Sequence, residues 1–178
     1  MRIFLNFFFI LFLLSSTSNA NDQLYYKIGY FDYKHETGGL LLNVKKVSNK
    51  TYSILSLGEF VQIYEFTSII DKENQFSRGH NRKKREEYAI YLSSGLQKTI
   101  ALSKNVSLVP SFSLGLYESF DQGKDMGFPI EFKSELELNL HLSRDSMLGV
   151  TFHHISNADI GDKNPGSDSL LINFKRNF

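Results

Sequence analysis

The amino-acid sequence predicts an all-β fold, an eight-stranded antiparallel transmembrane β-barrel of the outer-membrane type, and three observations carry that reading. An export signal opens the chain, period-two alternation recurs with its apolar face turned outward, and the connections between the alternating segments are by turns long and short.

The export signal occupies residues 1–20, MRIFLNFFFILFLLSSTSNA. One basic residue, Arg2, precedes an apolar run from Ile3 to Leu14 and a small-residue close at Ser18-Asn19-Ala20, which is the pattern of a cleaved secretory signal peptide. That run is too short for a membrane-spanning helix, which needs about 20 residues. Residues 21–178 are then expected to form a single β-barrel domain. Removing Arg2 from the 20 basic residues balances the 19 acidic ones, so no basic surface calls for a nucleic-acid partner. With no cysteine, the exported chain must hold together without disulfides.

Strand six shows the alternation best. In IEFKSELELNLHL, Ile130, Phe132, Leu136, Leu138, Leu140 and Leu142 share one face, with Ser134 its single polar member, while Glu131, Lys133, Glu135, Glu137, Asn139 and His141 share the other. Strand five sets Leu108, Pro110, Phe112, Leu114 and Leu116 against Ser107, Ser111, Ser113 and Gly115. Strand four, running to Leu102, sets Ile90, Leu92, Leu96, Ile100 and Leu102 against Ala89, Ser93, Gly95, Gln97 and Thr99. Small and polar residues inside with large apolar ones outside are what lipid demands; a soluble barrel reverses this. The first three strands are expected near 24–34, 38–47 and 50–69. Links at about 70–86, 120–127 and 158–166 are long, and those at 103–105 and 143–146 are short, as for extracellular loops alternating with periplasmic turns. Eight strands put both termini on the periplasmic side. The end, LLINFKRNF, aligns Leu170, Ile172, Phe174 and Phe178 on one face, and its terminal aromatic resembles the signal read by the barrel assembly machinery.

Strand seven carries the one chemically loaded stretch, FHHISNADIGDKNPGSDS, at its extracellular end. His154 and Ser156 have the parity of Leu148, Val150 and Phe152, so they face lipid or the headgroup rim, about 6.6 Å apart along the strand. His153 has the opposite parity and points into the barrel. A basic side chain facing lipid costs roughly 2–4 kcal/mol at mid-membrane and less toward the interface, so such a residue there invites a functional explanation. The following loop is expected to place Asp168 roughly opposite Ser156, where nucleophile, base and acid can converge.

His153-His154-Ile155-Ser156-Asn157-Ala158 followed by Asn164-Pro165-Gly166, with Gly127-Phe128-Pro129-Ile130-Glu131-Phe132 more loosely, resembles the outer-membrane lipid A 3-O-deacylases, the PagL-type acyloxyacyl hydrolases. The resemblance covers roughly the last 70 residues. It implies a bacterial outer-membrane hydrolase that removes a fatty acyl chain from lipid A of lipopolysaccharide, with Ser156 as nucleophile, His154 as base and Asn157 helping to hold the oxyanion. The family's acid is usually glutamate; the matching position is Asp168, shorter by one methylene, with Asp159 and Asp162 as alternatives. The implied mechanism needs no metal or other cofactor. The alternative is a small structural or adhesion barrel that keeps the motif without activity.

Two other features are weaker. The basic run Arg78–Arg85, with Arg82, Lys83, Lys84 and Arg85 at its end, could pair with lipid A phosphates or simply be a solvated loop. Glu131, Glu135 and Glu137 could be mistaken for a glycosidase pair, but inward carboxylates beside Lys133 and His141 read as a polar network within the lumen.

Overall fold

The computed structural model describes residues 22–33, 39–72, 86–120, 124–143 and 145–176. The expected signal peptide, the basic run Arg78–Arg85 (with Arg82, Lys83, Lys84 and Arg85) and Phe178 lie outside these residues. Eight antiparallel strands follow in order: β1 Gln23–Phe31, β2 Gly39–Ile54, β3 Gly58–Lys72, β4 Glu86–Gln97 resumed by Ile100–Ala101, β5 Val106–Phe120, β6 Ile130–His141, β7 Ser146–Ser156 and β8 Ser167–Arg176. Each pairs with the next, and β1 pairs with β8 from Tyr25↔Lys175 to Tyr30↔Leu170, which closes the barrel and leaves no sheet edge. Tyr26 and Phe174 meet across that seam with ring centroids 5.8 Å apart.

The expected parity holds. Leu92, Phe112, Leu114, Leu116, Leu136, Leu138, Leu140, Leu148, Val150, Leu170 and Ile172 are exposed on the outer surface. Intervening positions face the lumen, where an apolar cap of Phe31, Leu41, Ile69, Ala89, Tyr91, Tyr117, Ile155 and Leu171 closes the extracellular end around Met126. Below the cap lies a layer of buried charge. Lys27 bonds Glu135 at 2.6 Å and Glu137 at 2.7 Å, Lys133 bonds Glu65 and also Glu135 at 3.1 Å, and Lys45 joins Glu137 and, at 2.9 Å, Gln97. Each ammonium sits between acceptors, the condition under which buried charges are tolerated. Glu135 and Glu137 therefore belong to an interior network, as the sequence suggested, and His153 is buried beside them with Nδ1 3.7 Å from Glu135.

Two strand boundaries differ from expectation. The stretch Ser48-Asn49-Lys50 is not the turn before strand three but a bulge within β2: the register with β3 shifts between Val47 and Thr51. The Ser48 hydroxyl accepts the Lys50 N–H at 3.2 Å, a local bond that a tight turn would also use. The reversal comes later, through a single 3-10 turn at Leu55–Leu57 into Gly58, whose φ of 87° suits glycine. Strand four is interrupted at Lys98 and Thr99. Lys98 N–H donates to the Pro110 carbonyl at 3.0 Å, but proline has no N–H to return the bond, so the ladder lapses and then resumes in unchanged register.

Candidate active site

The cross-strand register assembles a polar patch on the apolar outer face. Ser134 of β6, His154 of β7 and Asp168 of β8 are direct partners in one row, and Ser156 pairs with Phe132 one step toward the extracellular end. Asp168 thus stands opposite His154, not opposite Ser156 as the loop length suggested. This placement suits an orienting acid better, because directly paired residues project side by side. His154 Nδ1 lies 2.9 Å from Asp168 Oδ1, with the histidine side chain 43 % exposed and the aspartate 13 %. Ser134, the lone polar residue on the outer face of β6, is explained by its partner: it sits beside the imidazole.

Such a bond assigns Nδ1 as the donor and leaves the lone pair on Nε2. Ser156 lies two residues on and on the same face. Among the described residues no hydrogen bond joins its hydroxyl to His154, so the two side chains are neighbours on one face without being bonded.

The loop between β7 and β8 explains the rest of the motif. Asn157, fully buried, donates its side-chain amide to the carbonyls of Met126 and Lys163, each at 2.8 Å, and accepts the Asp159 N–H at 3.0 Å. Its own N–H donates to Asn164 Oδ1 at 3.1 Å. Ile160 N–H returns to the Asn157 carbonyl at 3.1 Å, with Ala158 at φ 53° and Asp159 at φ 60°, the positive angles of a type I′ turn. Every polar group of Asn157 is spent on holding the loop. It supports the site, and in this conformation its amide is not offered to an oxyanion. Asp159 and Asp162 are exposed on the same loop, and neither bonds His154.

Gly166 completes the motif. Its φ is 59°, and a Cβ there would stand 3.1 Å from His154 Cε1, so glycine both permits the backbone turn and leaves the imidazole uncrowded at that carbon. Residues 124–127 buttress the loop from the other side. Lys163 pairs with Asp125 at 2.7 Å, and that ammonium, with the Gly127 N–H, holds the Asp125 carboxyl below its ordinary range. No group of three or more His, Cys, Asp or Glu residues is arranged to hold a metal ion among the described residues.

A model of the lipid A 3-O-deacylase (PagL) family matches residues 74–177, more than half of the chain and all of the patch. No curated protein sequence matches it. Among solved structures, the outer membrane enzyme PagL is similar at 14 % identity, with 88 % of this chain and 99 % of that one covered and a TM-score of 0.58. Neisserial surface protein A is similar at 10 % identity over 88 % and 96 %, also at 0.58. The attachment invasion locus protein of Yersinia pestis, bound to a heparin analogue, is similar at 11 % over 88 % and 97 %, at 0.51. Likeness at these identities is likeness of fold.

Proposed function

Since the chain belongs to the lipid A 3-O-deacylase (PagL) family, we propose that it hydrolyses a fatty acyl ester of lipid A, the 3-O ester, with Ser156 as nucleophile, His154 as general base and Asp168 as the orienting acid. The observation that carries this reading is the 2.9 Å contact of His154 with Asp168 on the lipid-facing surface, beside a serine of the same face. Asp168 holds the tautomer whose Nε2 takes the Ser156 proton. The serine oxygen attacks the ester carbonyl, and backbone N–H groups hold the tetrahedral oxyanion. Protonated His154 then returns its proton to the departing sugar oxygen, and water, activated by the same nitrogen, releases the fatty acid from Ser156.

The protein resides in the bacterial outer membrane. Because the patch opens outward, the acyl chains of lipopolysaccharide reach it without leaving the membrane. Arg82, Lys83, Lys84 and Arg85 would meet the phosphates of the same lipid at the surface, and the C-terminal strand would be the element read during barrel assembly. The test is incubation of the purified, folded protein with lipopolysaccharide, followed by mass spectrometry of lipid A. Loss of one acyl chain, absent with Ser156→Ala, is expected. Unchanged lipid A would leave the barrel with a structural or adhesive role.

A further inference from the structure

Lys124 is distant from His154 in sequence, yet its ammonium reaches the backbone that frames the imidazole. Nζ lies 2.5 Å from Asp32 Oδ2, just beyond β1, and 2.5 Å from the carbonyl oxygen of Gly166. The Lys124 side chain is 10 % exposed and that of Asp32 is 0 %. The Lys124 carbonyl accepts the Tyr117 hydroxyl at 3.0 Å, so the residue is fixed at its backbone as well as at its charged end. Asp32 holds a φ of 55°, a conformation that persists in a non-glycine residue when its surroundings impose it. The next residue continues the frame, Tyr33 N–H donating to the Asp168 carbonyl at 3.0 Å. Gly166 is the residue whose missing side chain leaves room at Cε1 of the His154 ring.

We infer that Lys124 is a positioning residue of the site: bridging Asp32 and the Gly166 carbonyl, it fixes the backbone against which the His154 imidazole rests and so aligns the histidine with Asp168 and Ser156. The inference builds on the hydrolase reading above. Charge-assisted bonds to a carboxylate and a carbonyl are strong and directional in so enclosed a place. Without the ammonium, the Gly166 carbonyl loses its anchor and the loop can shift. Displacements of about 1 Å in a catalytic constellation cost on the order of a hundredfold in rate.

The test uses the full-length protein in mixed micelles, with heat-modifiability as the check on folding. Lys124→Met keeps the aliphatic stem and removes the charge, Lys124→Arg keeps the charge, and Asp32→Asn weakens the anchor without changing volume. Acyl release from lipopolysaccharide gives kcat and KM, and 15N resonances of the His154 ring report its tautomer and its bond to Asp168. For Lys124→Met, kcat should fall about ten- to a hundredfold with KM within about twofold, since alignment and not substrate affinity is lost. The ring resonances should move toward a tautomer mixture, Lys124→Arg should recover most of both, and Asp32→Asn should shift the resonances in the same direction. A folded Lys124→Met protein with parental kcat and unmoved resonances overturns the assignment. If Lys124→Met does not assemble, unmoved resonances in folded Asp32→Asn overturn it equally. Absence of acyl release even from the parent refutes the hydrolase reading, while the ring resonances still decide the role of Lys124.

Discussion

In the proposed hydrolysis the chemistry turns on His154, whose ring meets Asp168 at Nδ1 and Gly166 along the Cε1 edge. Ser156→Ala and His154→Ala should each abolish acyl release while leaving the barrel heat-modifiable, because both side chains stand on the outer surface and neither fills the core. Near-parental turnover in either folded variant would remove the nucleophile–base pair from consideration. Asp168 stands where the resemblance implies a glutamate, and its pairing directly across from His154 brings its carboxyl within 2.9 Å of the ring. Asp168→Asn should lose most of the rate, by about 10⁴-fold where the acid alone holds the tautomer, because the amide cannot balance the imidazolium. Asp168→Glu should retain substantial activity, because it keeps a carboxylate beside the imidazole. Single-turnover acyl release from lipid A compares the two, and equal behaviour would exclude Asp168 as the acid.

At the scale of the elements, the loop from Asn157 to Gly166 does what a strand cannot, turning β8 back so that residue 168 meets residue 154. Asn157→Ala removes three side-chain bonds and should depress kcat while the barrel still resists sodium dodecyl sulfate unheated. Gly166→Ala should do the same by adding strain at φ 59° and crowding the imidazole at Cε1. The Asp125–Lys163 clip is solvent-exposed, and its pH dependence follows from the depressed carboxyl. Its contribution is present above the unfolded value near 3.8 and is lost as pH falls through the lower folded value. Loss of activity on mild acidification to about pH 5 should therefore be the same in Asp125→Asn and the parent, a comparison that pH–rate profiles make directly.

As a whole molecule, the barrel is a plug of protein in an oily sleeve. It should fractionate with outer membranes and migrate differently before and after heating; recovery in the soluble periplasm without detergent would contradict the outward apolar face. Side chains bridge the interior from Lys27 to Glu135 and from Lys45 to Gln97 beneath the apolar cap, so planar bilayers containing the protein should show no porin-like conductance steps. Lys133→Met leaves Glu65 and Glu135 short of a cation at full burial and should cost about 3–5 kcal/mol of unfolding free energy, measured by urea titration in micelles.

Which face of each strand meets lipid is legible in the chain alone, because strand parity is a local property with a period of two residues and lipid rewards it at every outward position. The motif from His153 to Gly166 is equally local, and the resemblance it carries implies roles for Ser156 and His154 and, just beyond it, for Asp168. Ser134 was visible too, as the one polar interruption in an apolar face, although nothing in the sequence says that it lies beside His154. The tertiary structure decided register and contact. Whether Ser48-Asn49-Lys50 turns or bulges depends on the partner strand, since the same serine-to-backbone bond serves both. Whether Asp168 faces residue 154 or 156 depends on how many residues the Asn157 turn absorbs. The union of Asp32, Lys124 and Gly166 joins three separate stretches of chain, and no periodicity records it, because a buried lysine finds its acceptors only once the barrel has closed.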